Sequence, residues 1–80
     1  MRVLSMVERQ VTTEQRADYL SELAATRAAA SAAHAHFWVF ENDQEPGRFV
    51  EFTEAADAEH VASTHGGTLP APIWREVQGV

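Results

Sequence analysis

The sequence predicts an α+β domain: a ferredoxin-like sandwich of four antiparallel strands with two helices on one face of the sheet. Three observations predict it. Apolar runs of strand length occur near the start of the chain, twice in its middle and once near its end. A long stretch of good helix formers separates the first run from the second, and a shorter one separates the third from the fourth. A Pro-Gly turn joins the two middle runs, which gives the order β-α-β-β-α-β, and that order is usually solved as such a sandwich. With 80 residues the chain holds one domain, residues 1–80.

Residues 3–11 make the first strand, with Leu4 and Met6 on one side and Val3, Val7 and Val11 on the other. Thr12 then opens a helix, because Thr at the N-cap with Gln15 three positions later is a capping box. From about 13 to 32 there is no Gly or Pro, and Ala17, Leu20, Leu23, Ala24 and Ala28 follow the i, i+3, i+4 spacing of one apolar stripe. The alanine-rich end, Ala28 to Ala33, lets the helix lie close to its neighbour. Residues 34–41 make the second strand and 48–54 the third. Between them, Pro46 presets φ and Gly47 accepts φ > 0. Ala55 to His65 favours a short helix, ended by Gly66-Gly67. Pro70 and Pro72 make an extended linker, and residues 73–78 a fourth strand.

Composition removes several classes of function. The formal net charge is −6, and the 6 basic residues, all arginine, are scattered. Without a basic stripe to neutralise phosphates, neither nucleic acid nor an anionic membrane surface is an expected partner. No apolar run approaches the ~20 residues that span a bilayer. Glu8 and Arg9 interrupt the N-terminal run, which reads as a strand rather than a signal peptide. The absence of cysteine excludes a disulfide framework and a thiol nucleophile, and fits a cytoplasmic location.

The strands are apolar on both faces. On the second strand His34, His36, Trp38 and Phe40 share one side, and Ala35, Phe37 and Val39 the other. On the third, Phe49, Glu51 and Thr53 oppose Val50 and Phe52, and Trp74 opposes Ile73 and Val77 on the fourth. Helices cover only one face. Burying each large side chain is worth roughly 1.5–3 kcal/mol, and leaving several exposed together invites aggregation. The expectation is a homodimer in which two sheets pack face to face.

"PGRFVEF" (46–52) followed by "HVASTH" (60–65) resembles the dimeric α+β barrel superfamily, and within it the antibiotic-biosynthesis monooxygenase type. Arg48, Phe49 and Glu51 match that type's strand, and His60, Val61, Ala62, Ser63 and His65 its helix. The resemblance implies cofactor-independent oxygenation of a small aromatic molecule, with no cofactor. Haem-degrading relatives use an Asn on the first strand and a Trp on the third. Here the first strand has no Asn and Thr53 stands at the Trp position, which speaks against haem degradation.

Candidate site residues follow. His60 is the natural proton carrier near neutral pH, and Glu51, in a strand of aromatics, is either a general acid or base or the partner of an arginine such as Arg48 or Arg75, pairing being favoured. Trp38, Phe49, Phe52 and His65 are candidate ligand-binding residues for a small apolar or aromatic molecule, with core or dimer packing the default for the aromatics. His65 near a helix C-terminus has a capping role as its favoured alternative. The acidic turn Glu41 to Glu45 reads as solvated. His34 and His36 would share a strand face, but a zinc site needs three or four ligands. On a helix His60 and His65 diverge by about 140°, so no metal site is expected.

Overall fold

The computed structural model describes residues 1–80. The elements are β1 (Val3–Gln10), α1 (Arg16–Ala32), β2 (His36–Glu41), β3 (Arg48–Ala55), α2 (Ala58–Thr64) and β4 (Ile73–Arg75). The strands form one sheet in the order β2-β3-β1-β4, each neighbouring pair antiparallel. This α+β arrangement, with two helices and a four-stranded antiparallel sheet, is compatible with a ferredoxin-like fold. No helix is long and apolar enough to cross a membrane.

The boundaries moved for local reasons. Thr12 and Gln15 make the reciprocal bonds of a capping box, Thr12 N–H to Gln15 Oε1 at 3.2 Å and Gln15 N–H to Thr12 Oγ1 at 3.3 Å. Regular α-helix begins only at Arg16, because the turn before it closes through three-residue bonds, Gln15 N–H to the Thr12 carbonyl and Arg16 N–H to the Thr13 carbonyl. At the other end of α1, His34 takes φ +58°. Ala35 N–H bonds the Ala30 carbonyl at 2.8 Å and His34 N–H the Ser31 carbonyl at 3.3 Å, which is a Schellman closure. The second strand therefore starts at His36, and the expected strand pairing of His34 with His36 is corrected: His34 belongs to the helix cap. The second helix starts at Ala58 because Asp57 is its N-cap, extended at φ −155° and accepting the His60 N–H at 2.9 Å. β4 is shorter than expected because its partner runs out: Val3 pairs with Arg75, and beyond it only Glu76 N–H reaches back, to the Arg2 carbonyl.

The buried stripe of α1 also differs from the expected one. Leu20 is 44% exposed, and Ala17, Ala24 and Ala28 are exposed too. The inward side is Tyr19, Leu23, Thr26 and Ala30, which shares only Leu23 with the expected stripe. A stripe chosen by apolarity alone skipped Tyr19 and Thr26, whose bodies pack while their hydroxyls bond.

Register sorts the sheet into rows. On the helix side lie Phe37–Thr53–Ser5–Ile73, Val39–Glu51–Val7 and Glu41–Phe49–Arg9. The core cluster there is small: Val3, Ala30, Ala35, Phe37, Ala55 and Val61. On the other side lie Trp38–Phe52–Met6, Phe40–Val50–Glu8 and His36–Glu54–Leu4–Trp74. No element of the chain covers that side, and Trp38, Phe40 and Trp74 are 43%, 58% and 53% exposed.

Candidate functional site

Glu51 sits midway along β3 on the helix side, between Val39 and Val7 in register. It is only 8% exposed. A carboxylate so placed needs partners, since desolvation disfavours its charge. Tyr19 of α1 donates its hydroxyl to Glu51 Oε2 at 2.6 Å, and Arg9 of β1 brings Nε to 3.4 Å from the same oxygen. This corrects the expected pairing with Arg48 or Arg75: Arg48 is held by Glu8 and Glu45 instead. The Tyr19 ring is seated by Phe49, with centroids 4.8 Å apart, and the Arg16 guanidinium lies 5.5 Å from the centre of the same Phe49 ring. Burial, then the bond to Glu51, pushes the Tyr19 hydroxyl well above its ordinary pKa, so it stays a donor.

Both interactions fall on Oε2. Glu51 Oε1 makes no hydrogen bond. Every fully enclosed polar side-chain atom in the chain has a partner, so Oε1 lies where solvent or a ligand reaches it.

Two residues further along the same face, Thr53 Oγ1 is 2.7 Å from His65 Nε2. His65 is the C-cap residue of α2. Its ring meets the edge of Phe37 at 6.2 Å. Burial lowers its pKa, with Arg9 adding to the effect and the Glu51 charge opposing it, so the imidazole is kept neutral near pH 7. Position 53, where the resemblance expects Trp, thus carries the hydroxyl that meets this histidine.

Of the sequence-predicted residues, Glu51, Phe49 and His65 lie on the helix side of the sheet, Phe49 against Tyr19 and His65 against Thr53 and Phe37. The structure places the others elsewhere. His60 is in the first turn of α2, half exposed, its Nδ1 2.6 Å from Asp57 Oδ1. That bond, and the Asp57 charge, raise its pKa. Trp38 and Phe52 face each other across β2 and β3 on the uncovered side. Sequence reasoning missed Tyr19, Arg9 and Thr53. The signal for Tyr19 was its i, i+4 spacing to Leu23; Arg9 required the β1–β3 register. No three His, Cys, Asp or Glu side chains gather as a metal site.

A carboxylate with one oxygen pinned and the other open is a proton acceptor of fixed orientation, and a neutral imidazole nearby is a second proton-transfer group. No protein-family model matches the chain, and neither a curated protein nor a solved structure matches it.

Proposed function

We propose that the chain is a homodimeric α+β barrel protein carrying out cofactor-independent, monooxygenase-like chemistry on a small aromatic molecule, in a cytoplasmic setting that suits a chain without cysteine. The observation that supports the chemistry is the free Oε1 of Glu51. A polar group built into the small core of an 80-residue domain sacrifices apolar burial, and such local conflicts concentrate at functional sites. Glu51 takes a proton from a phenol or from the carbon between the rings of an anthrone. The resulting anion is electron-rich enough to react with dioxygen. For an anthrone the CH₂ becomes C=O, one oxygen atom entering the product and the other leaving as water. Tyr19 and Arg9 hold the carboxylate in place, and Phe49 is the apolar floor beneath Tyr19.

The dimer is supported by the uncovered face. In this reading Met6, Phe52 and Trp74 lie between the two copies, Trp38 and Phe40 of the edge strand β2 lie at the rim, and Phe52 serves assembly rather than a ligand.

Oxygen uptake with a panel of hydroquinones and anthrones tests the chemistry. Wild type is expected to exceed the uncatalysed rate, and Glu51→Gln to lose about 10²-fold or more, the usual size of a general-base contribution. Wild-type uptake no faster than the uncatalysed reaction across the panel contradicts the proposal. A non-catalytic dimeric module is the alternative, favoured by one observation: cavities of about 540, 440 and 320 Å³ are lined by neither Glu51 nor His65.

A further inference from the structure

Two adjoining cavities lie along the free edge of the sheet, between α1 and the edge strand β2. One, of about 540 Å³, is lined by Arg27, Ser31, His34 and His36 together with Ala30, Ala35, Phe37 and Trp38. The other, of about 440 Å³, is lined by Leu20, Leu23, Ala24, Val39 and Phe40, and shares Arg27, Phe37 and Trp38 with the first. Each has the size of a small-molecule site.

Their charge is unlike that of the rest of the chain. The protein has 12 acidic residues and a net charge of −6, yet no carboxylate lines either cavity. The other principal cavities each carry two, Glu54 with Glu76, Glu8 with Glu41, and Asp18 with Glu22. Arg2, Arg9, Arg16 and Arg48 are paired with glutamates, whereas Arg27 has no carboxylate partner. The guanidinium shared by the two cavities is therefore an uncompensated cation between a polar chamber and an apolar one. The C-terminal dipole of α1 opposes an anion here. Its effect is blunted, because the Ala29, Ala30 and Ser31 carbonyls already accept N–H groups of the Schellman closure, and Arg27 supplies a full charge.

We infer that this edge is a binding site for an amphipathic monocarboxylate, the carboxylate held by Arg27 with Ser31, His34 and His36, and a linear apolar tail lying between Leu20, Leu23, Val39 and Phe40. The run from Arg27 back to Leu20 is two helical turns, about 10 Å, and Phe37 to Phe40 on β2 spans about 10 Å as well. Both walls thus fit a short extended alkyl chain. The site does not depend on any chemistry at Glu51.

Calorimetric titration of the intact chain with octanoate, octanol and octylammonium tests it. Octanoate is expected to bind saturably and more tightly than octanol, with octylammonium weakest. Arg27→Gln, whose exposed position leaves the circular dichroism spectrum unchanged, should weaken octanoate about tenfold or more by removing a charge-assisted contact, and leave octanol unaffected. Leu20→Ser should weaken octanoate and octanol alike. Octanoate affinity unchanged in Arg27→Gln, octylammonium binding as tightly as octanoate, or no saturable heat with octanoate overturns the inference.

Discussion

Glu51 shows how a residue reads differently in sequence and in space. Alternation along 48–54 placed it among apolar neighbours and made it a candidate acid or base. Its actual partners, Tyr19 and Arg9, come from α1 and β1. Arg9 joins it only through the register that aligns Arg9 with Phe49, and a single sequence does not contain that alignment. The two histidines of the α2 segment carry opposite pH signatures. The His60 pKa is raised by Asp57, so its stabilisation is present below its unfolded value of 6.5 and is lost as pH rises through the folded value. Asp57 is lowered from 3.8 by the same bond, so its share is lost as pH falls through that range. His65 is lowered by burial, so its stabilisation is present above 6.5 and is lost as pH falls. Urea midpoints at about pH 5.5 and about pH 8.5 should therefore separate two variants. His60→Gln should lower stability at the acidic pH and little at the basic one. His65→Gln should remove part of the loss on acidification. Identical pH profiles for wild type and both variants contradict these assignments.

Among the elements, the β2–β3 hairpin is the most fully wired. Glu41 accepts two bonds from Arg16, at 2.6 and 2.8 Å, and one from the Gly47 N–H at 2.9 Å. Arg16 first, then Gly47, draws its pKa down to about 2. The turn expected to be merely solvated thus ties α1 to the sheet, and the stabilisation from Glu41 is present above 4.5 and is lost progressively as pH falls from there toward about 2. Gly47 has φ +89°, and a Cβ there would sit 2.4 Å from the Val11 carbonyl oxygen. Both strain and backbone overlap follow, so Gly47→Ala is expected to cost about 2 kcal/mol or more. Gly67→Ala meets open space at φ +93° and should cost only the conformational part, about 1 kcal/mol. Chemical denaturation compares the two, and equal losses contradict the steric role of Val11. The Thr12–Gln15 capping box and the Pro-Gly turn were legible because their chemistry is local, whereas the His34 closure of α1 and the Asp57 cap of α2 were not read. The displaced stripe of α1 was not, because which side of a helix turns inward is set by what the sheet presents. For Tyr19 that is Glu51 and Phe49.

At the scale of the molecule, the chain is a slab with principal extents of 41 × 27 × 16 Å. Only 12 of 80 residues are buried, and Trp38, Phe40 and Trp74 on the aromatic side of the sheet are not among them. A face of 41 × 27 Å is ample for the ~800 Å² that each partner contributes to a stable interface. The doubled apolar pattern of β2 and β3 was visible in the sequence, and the structure locates its surplus: Trp38, Phe52 and Met6 in one row, with Trp74 and Leu4 in the next. Closure of that face by a second copy is the central proposal at this scale. Sedimentation velocity at micromolar concentration tests it most directly. The predicted result is a species of twice the 8.9 kDa chain mass, reduced to a single chain by Phe52→Glu. A wild-type chain that sediments as one 8.9 kDa species throughout that range contradicts it.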